Sequence, residues 1–154
     1  MTAVLIIGVG NRFRRDDGAG LAAARKLRDR LPRGTRILER DGDLTGLFED
    51  WAGENEVVLL DATSSGATPG AIRRLDGHAG RLPAGLARPS THALGVAEVV
   101  ELGRVMGSLP SSLVVYGIEG RDFSAGEGLS PEVAIAADRL ADLVAAAHTA
   151  GARG

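Results

Sequence analysis

The chain has 154 residues, of which 44% are apolar and 25% charged, with a formal net charge of −2 and no cysteine. That length suits one ordinary domain, able to bury roughly two-thirds of its extended surface. The charge balance offers no global basic field for nucleic acid, and the lack of cysteine excludes disulfides, thiolate ligands and a cysteine nucleophile.

Aromatic residues make up only 3%, so the core must be built from Ala, Val, Leu and Ile. No apolar run reaches the ~20 residues of a membrane span. The opening MTAVLIIGVGN lacks the basic start and small-residue cleavage site of a secretion signal. The expectation is a cytoplasmic protein with no membrane partner, folded as a single domain over 1–154 with an ordered core of 2–147.

Thr2 to Gly8 is a short apolar run rich in β-branched residues and bounded by glycine, which predicts a buried strand. Asp16 or Asp17 is placed to cap a helix reaching Leu31, with Leu21, Ala24, Leu27 and Leu31 on one face. After Pro32-Arg33-Gly34, Thr35–Leu38 reads as a second strand. Leu44, Leu47, Phe48 and Trp51 follow at helical spacing. Glu56 to Leu60, reading EVVLL, predicts a third strand that delivers Asp61 at its carboxyl end.

A loop rich in Ser, Thr and Gly occupies 62–70, and Ala71–Leu75 reads as a strand. Gly77 to Ser90 reads as an ordered loop, after which Ser90 or Thr91 opens a helix to Met106. Leu113–Gly117 is a further strand. Ser130-Pro131-Glu132 carries the cap, the first-position proline and the early acid of a helix start. That helix sets Val133, Ala136, Leu140, Leu143 and Ala147 on one side and frays beyond Ala147. Alternating strands and helices predict a three-layer α/β/α sandwich with a mostly parallel sheet. Ala71–Leu75 follows its neighbour too closely for a helical crossover, so it is expected to run antiparallel at an edge.

Ligands of such sheets bind beyond the carboxyl ends of the strands. Asp16 and Asp17 follow the first strand, Asp61 ends the third, and His92 stands at the predicted start of the third helix. Two carboxylates and an imidazole are suitable donors for a borderline divalent cation such as Ni²⁺ or Zn²⁺, with positions left for water or substrate. Each residue also has a plainer role, as a helix cap, a turn former or a surface group; their convergence on one rim favours the site. His78 and His148 receive no role.

Gly8-Val9-Gly10-Asn11-Arg12-Phe13 invites a dinucleotide-binding reading, but Phe13 stands where a third glycine would admit close packing of helix on strand. Two acids at the helix start would also repel a pyrophosphate. Arg12, Arg14 and Arg15 form a small basic cluster, either a solvated loop or a contact for an acidic or C-terminal peptide segment. Ser64, Ser65 and Thr63 lie near Asp61, but no nucleophile turn surrounds them.

The order GVGNRFRRDDGAG, RDGDLTG, VVLLDAT, STHALGVAEVV and VVYGIEGRDFSAGEGLSPEV resembles the hydrogenase maturation endopeptidases, over Val4 to Ala147. The resemblance implies a five-stranded α/β/α sandwich and an endopeptidase that clips a short C-terminal extension from the precursor of a nickel–iron hydrogenase large subunit after nickel insertion. The family's metal-contacting acid falls on Asp17, its strand-end aspartate on Asp61 and its histidine on His92, with Asp41 and Asp16 as substrate-positioning residues. The implied metal is nickel borne by the substrate, with zinc or cadmium acceptable to the same donors. A neutral His92 is required for ligation, so metal engagement weakens on acidification.

Two departures stand out. The acid at Asp17 is often Glu in the family. The segment Gly117-Ile118-Glu119 is usually followed by proline where this chain has Gly120, which predicts a looser loop and weakens the case for a role of Glu119. Two alternatives remain at this stage: a non-catalytic chaperone or binding module for the metal-loaded subunit, and, less favoured, a dinucleotide-binding domain.

Overall fold

The computed structural model describes residues 3–83 and 94–152. Strand β1 covers Val4–Gly10, α1 Ala19–Arg28, β2 Arg36–Asp41, α2 Leu47–Trp51, β3 Glu56–Thr63, β4 Ile72–Asp76, α3 Val96–Met106, β5 Ser112–Glu119 and α4 Pro131–Ala152. Short 3₁₀ turns at Arg15–Gly18 and Leu44–Gly46 lead into α1 and α2.

The strands form one five-stranded sheet in the order β2-β1-β3-β5-β4. All neighbours are parallel except β4, which pairs antiparallel with β5 at the edge, as the short connection requires. Central strands β1 and β3 are apolar on both faces because helices cover both sides. On one face Ile6, Val58 and Leu60 pack with Ala23, Ala24 and Leu27 of α1 and Val133, Ala137 and Leu140 of α4. On the other, Leu5, Ile7, Val57 and Leu59 meet Leu47 and Trp51 of α2 and Val96, Val99 and Val100 of α3. The three-layer α/β/α sandwich is therefore the observed architecture.

Several boundaries differ from expectation. β2 continues to Asp41 because the charged residues Glu39, Arg40 and Asp41 still pair with Gly8, Val9 and Gly10 of β1. β3 and β5 run on together to Thr63 and Glu119, so Asp61 lies inside the strand and not after it. Neither Asp16 nor Asp17 caps α1; both lie in the preceding 3₁₀ turn, and the residue before the helix, Gly18, makes no side-chain cap. Leu94 and Gly95 are not helical, so α3 starts at Val96, and the expected start at Ser90 or Thr91 lies outside the described residues. α4 extends to Ala152, beyond the expected fraying point. Leu143 and Ala147 face solvent, and Ala137, Ala141 and Val144 take the buried stripe instead.

Two glycines seat α1 on the sheet. A Cβ on Gly20 would lie 2.2 Å from the Leu60 carbonyl oxygen and 2.8 Å from that of Val9. Gly10, with φ of +145°, lets the 3₁₀ turn close over the strand end, where an added Cβ would sit 2.1 Å from the Asp17 carbonyl oxygen. The close packing that Phe13 could not permit is thus supplied seven residues later, by Gly20.

Candidate functional site

The carboxyl edge of the sheet gathers the buried acids. Among the described residues, the buried charged side chains are Asp16, Asp17, Asp61 and Glu119. Asp61 follows the paired rung Gly8–Leu60, so it stands beside the end of β1. By alternation along β3 it shares the face of Val57 and Leu59, the side covered by α3. Asp17 reaches the same edge from the turn before α1, where its Oδ2 accepts the Asn11 backbone N–H at 3.0 Å. Asp61 Oδ1 accepts the Ala62 N–H at 2.7 Å. Each group thus commits one oxygen to a main-chain donor, which fixes its orientation. Asp61 is 0% and Asp17 7% exposed.

Asp16 is also fully buried but has a different task. Its Oδ2 accepts the backbone N–H groups of Arg121 and Asp122 at 2.8 and 2.9 Å and the Ser130 hydroxyl at 2.7 Å. Its Oδ1 accepts the Ser130 N–H at 2.7 Å. Burial alone would push this carboxyl up, but these four donors outweigh it and hold the group below the ordinary aspartate range. Asp16 therefore ties the Asp17 turn to the loop before α4.

Glu119 does the same at the end of β5. It accepts the hydroxyls of Thr63 and Ser65 at 2.8 and 2.7 Å and the backbone N–H groups of Ser65 and Gly66. Burial opposes ionisation here too, and the Ser65, Thr63 and Gly66 donors overcome it, leaving the carboxyl below its usual value. The Thr63 and Ser65 hydroxyls are thus held as donors to Glu119. The loop after β5 is firm: the Gly120 N–H reaches the Thr63 carbonyl at 3.0 Å, a bond that proline could not make. Against the expectation of a looser loop with a weak case for Glu119, the loop here is bonded to the end of β3 and Glu119 is a buried clamp on residues 63–66. Sequence reading missed Glu119 although it ends an apolar β-branched run, the same signal that singled out Asp61.

Asp41 is exposed at the end of β2, in register with Gly10, and so lies on the same edge. His92 lies outside the described residues. Among the described residues no three histidine or acidic groups come together as a metal site. Of the basic cluster, Arg14 Nε reaches the Phe123 carbonyl at 3.3 Å and Arg15 lies 3.7 Å from Asp122. His78 bonds the Pro110 carbonyl at 2.7 Å, and His148 lies 3.3 Å from Glu56. A cavity of about 510 Å³ opens elsewhere, between β4, β5 and α4, and none of the candidate acids line it.

Fold and site together define an α/β/α protein with buried acids at the carboxyl edge of a mostly parallel sheet. A family model described as HycI, hydrogenase maturation protease, matches residues 40–147. The hydrogenase 2 maturation protease of Escherichia coli is 30% identical over 155 residues, which cover 96% of this chain and 92% of that protein. The hydrogenase expression/formation protein HupD of Thiocapsa roseopersicina is 28% identical over 84% of this chain, but the match spans only 60% of its own length. Among solved structures, the hydrogenase maturating endopeptidase HybD from E. coli superposes with a TM-score of 0.81 at 27% identity, covering 97% of this chain and 94% of that one.

The chain belongs to the hydrogenase maturation protease family, a family of hydrolases. Membership sets aside the dinucleotide reading, in keeping with the buried acids where a pyrophosphate would have to sit. Among the described residues no helix is long and apolar enough to cross a membrane.

Proposed function

We propose that this chain is an endopeptidase that removes the C-terminal extension from the large-subunit precursor of a nickel–iron hydrogenase after nickel insertion. It acts as one domain in the cytoplasm, on a protein substrate and with no nucleic acid. The supporting observation is the placement of two buried, oriented carboxylates, Asp17 and Asp61, at the carboxyl edge of the sheet.

In this reading Asp17, Asp61 and His92 meet the nickel that the substrate carries. Two hard oxygens and an imidazole nitrogen suit that borderline ion, and equally zinc or cadmium. His92 comes from the segment leading to α3, which packs on the face of the sheet that Asp61 shares. Contact with the ion would set the scissile bond beside the rim; the ion would supply polarisation of the carbonyl or of the attacking water, and in the alternative route Asp17 or Asp61 acts as general base with the ion only positioning the chain. Asp41, exposed on the same edge, positions the substrate chain. Asp16 positions the substrate indirectly, by holding the Asp17 turn from within.

The test is incubation of the protein with nickel-loaded and nickel-free precursor, followed by mass measurement of the C-terminus. The reading predicts shortening of the loaded form alone. A stable complex with an unshortened precursor would instead identify a binding module or chaperone.

A further inference from the structure

Segment 11–15, which links β1 to the first residue of the 3₁₀ turn, is bonded along its length. The Phe13 N–H donates to Asn11 Oδ1 at 2.9 Å and the Arg14 N–H to the Asn11 carbonyl at 3.1 Å. The Phe13 carbonyl accepts the Gly126 N–H at 2.8 Å, and the Arg15 N–H donates to the Gly126 carbonyl at 2.9 Å. Arg15 accepts a left-handed backbone, φ of +48°, within this lattice. A loop so fixed presents its outward side chains in set positions.

At its tip Phe13 is 50% exposed. The other four aromatic residues, Phe48, Trp51, Tyr116 and Phe123, all pack against the two cores. The Arg12 guanidinium lies 4.8 Å from the Phe13 ring centroid and has no carboxylate partner among the described residues. A scattered exposed apolar side chain is ordinary. This one stands on rigid backbone, carries a cation on its ring and adjoins the site. Asn11, next to Arg12, holds Asp17, and an added Cβ on Gly18 would lie 3.1 Å from the Arg12 Cα.

We propose that Arg12 and Phe13 form a gripping corner for the protein substrate. It takes an extended segment flanking the scissile bond in which an apolar side chain sits beside a carboxylate. The ring supplies a flat, preorganised apolar surface, and the guanidinium, stacked but with its N–H donors open, takes the carboxylate. This rests on the processing reading above and adds which part of the substrate the rim recognises.

The experiment measures cleavage kinetics and, separately, binding of fluorescently labelled precursor by anisotropy, for wild type, Arg12→Glu, Phe13→Ala and Phe13→Leu. Expected are KM and Kd raised about tenfold in Arg12→Glu and Phe13→Ala and by a smaller factor in Phe13→Leu, which keeps apolar area but loses the ring under the guanidinium, with kcat within about twofold throughout. Reversing the flanking substrate acid to Lys should restore binding to Arg12→Glu. Unchanged Kd in both damaging variants, all melting like wild type, overturns the proposal, as does a wild type that does not bind precursor. A wild type that binds but does not cut refutes the endopeptidase reading and leaves the corner to be judged on Kd.

Discussion

Asp16 and Ser130 are 114 residues apart in sequence and joined twice, by the Ser130 N–H to Oδ1 and the Ser130 hydroxyl to Oδ2, both at 2.7 Å. The residue before α4 and the turn that carries Asp17 therefore share one buried carboxylate. Replacing Asp16 by Ala strands three N–H groups and a hydroxyl, a loss of about 3 kcal/mol. For a domain of this size the melting temperature should fall by roughly 6–12 °C. Thermal melts monitored by circular dichroism check this, and a change under ~2 °C would refute it.

The two clamp carboxylates also set an acid limit. Asp16 and Glu119 both ionise more readily folded than unfolded. Their stabilisation is therefore complete above the ordinary carboxylate range and lost as pH falls below it, because the unfolded chain takes up protons first. Melting temperature should hold from about pH 7 to 5 and drop steeply below about pH 4. Glu119→Gln should flatten that slope while lowering stability at neutral pH by about 2 kcal/mol. An unchanged slope would remove Glu119 from the account.

Gly120→Pro is expected to do harm. It deletes the N–H bonded to Thr63, and an added Cβ lies 2.5 Å from the Phe123 ring. A loss of about 2 kcal/mol, read from urea unfolding midpoints, is the expected outcome. Equal or greater stability would contradict the bonding described for this loop.

Gly20→Ala tests the seat of α1. With a Cβ 2.2 Å from the Leu60 carbonyl oxygen, the helix must lift from the sheet, carrying the Asp17 turn with it. Destabilisation should reach about 3 kcal/mol, visible as poor soluble yield or a large drop in melting temperature. A variant that melts like wild type would show that the approach is looser than described.

Much of this was legible in the chain itself. The apolar run ending in Asp61, the antiparallel edge strand and the Ser130-Pro131 helix start follow from local pattern. What escaped was long-range. A carboxylate before a helix looks the same whether it serves nearby amides or, as Asp16 does, those of Arg121, Asp122 and Ser130. The close approach at Gly20 depends on a carbonyl forty residues on, and the polar end of β2 is held by pairing with β1 that composition does not announce.

The central claim is that the buried carboxylate pair at the sheet edge is required for processing, and Asp61→Asn tests it most directly. The substitution keeps shape and removes charge. Wild type and variant are incubated with nickel-loaded precursor under the same conditions, and the precursor's intact mass is followed with time. The account predicts shortening by wild type and none by a variant whose melting temperature shows it to be folded. Undiminished shortening by Asp61→Asn would contradict it.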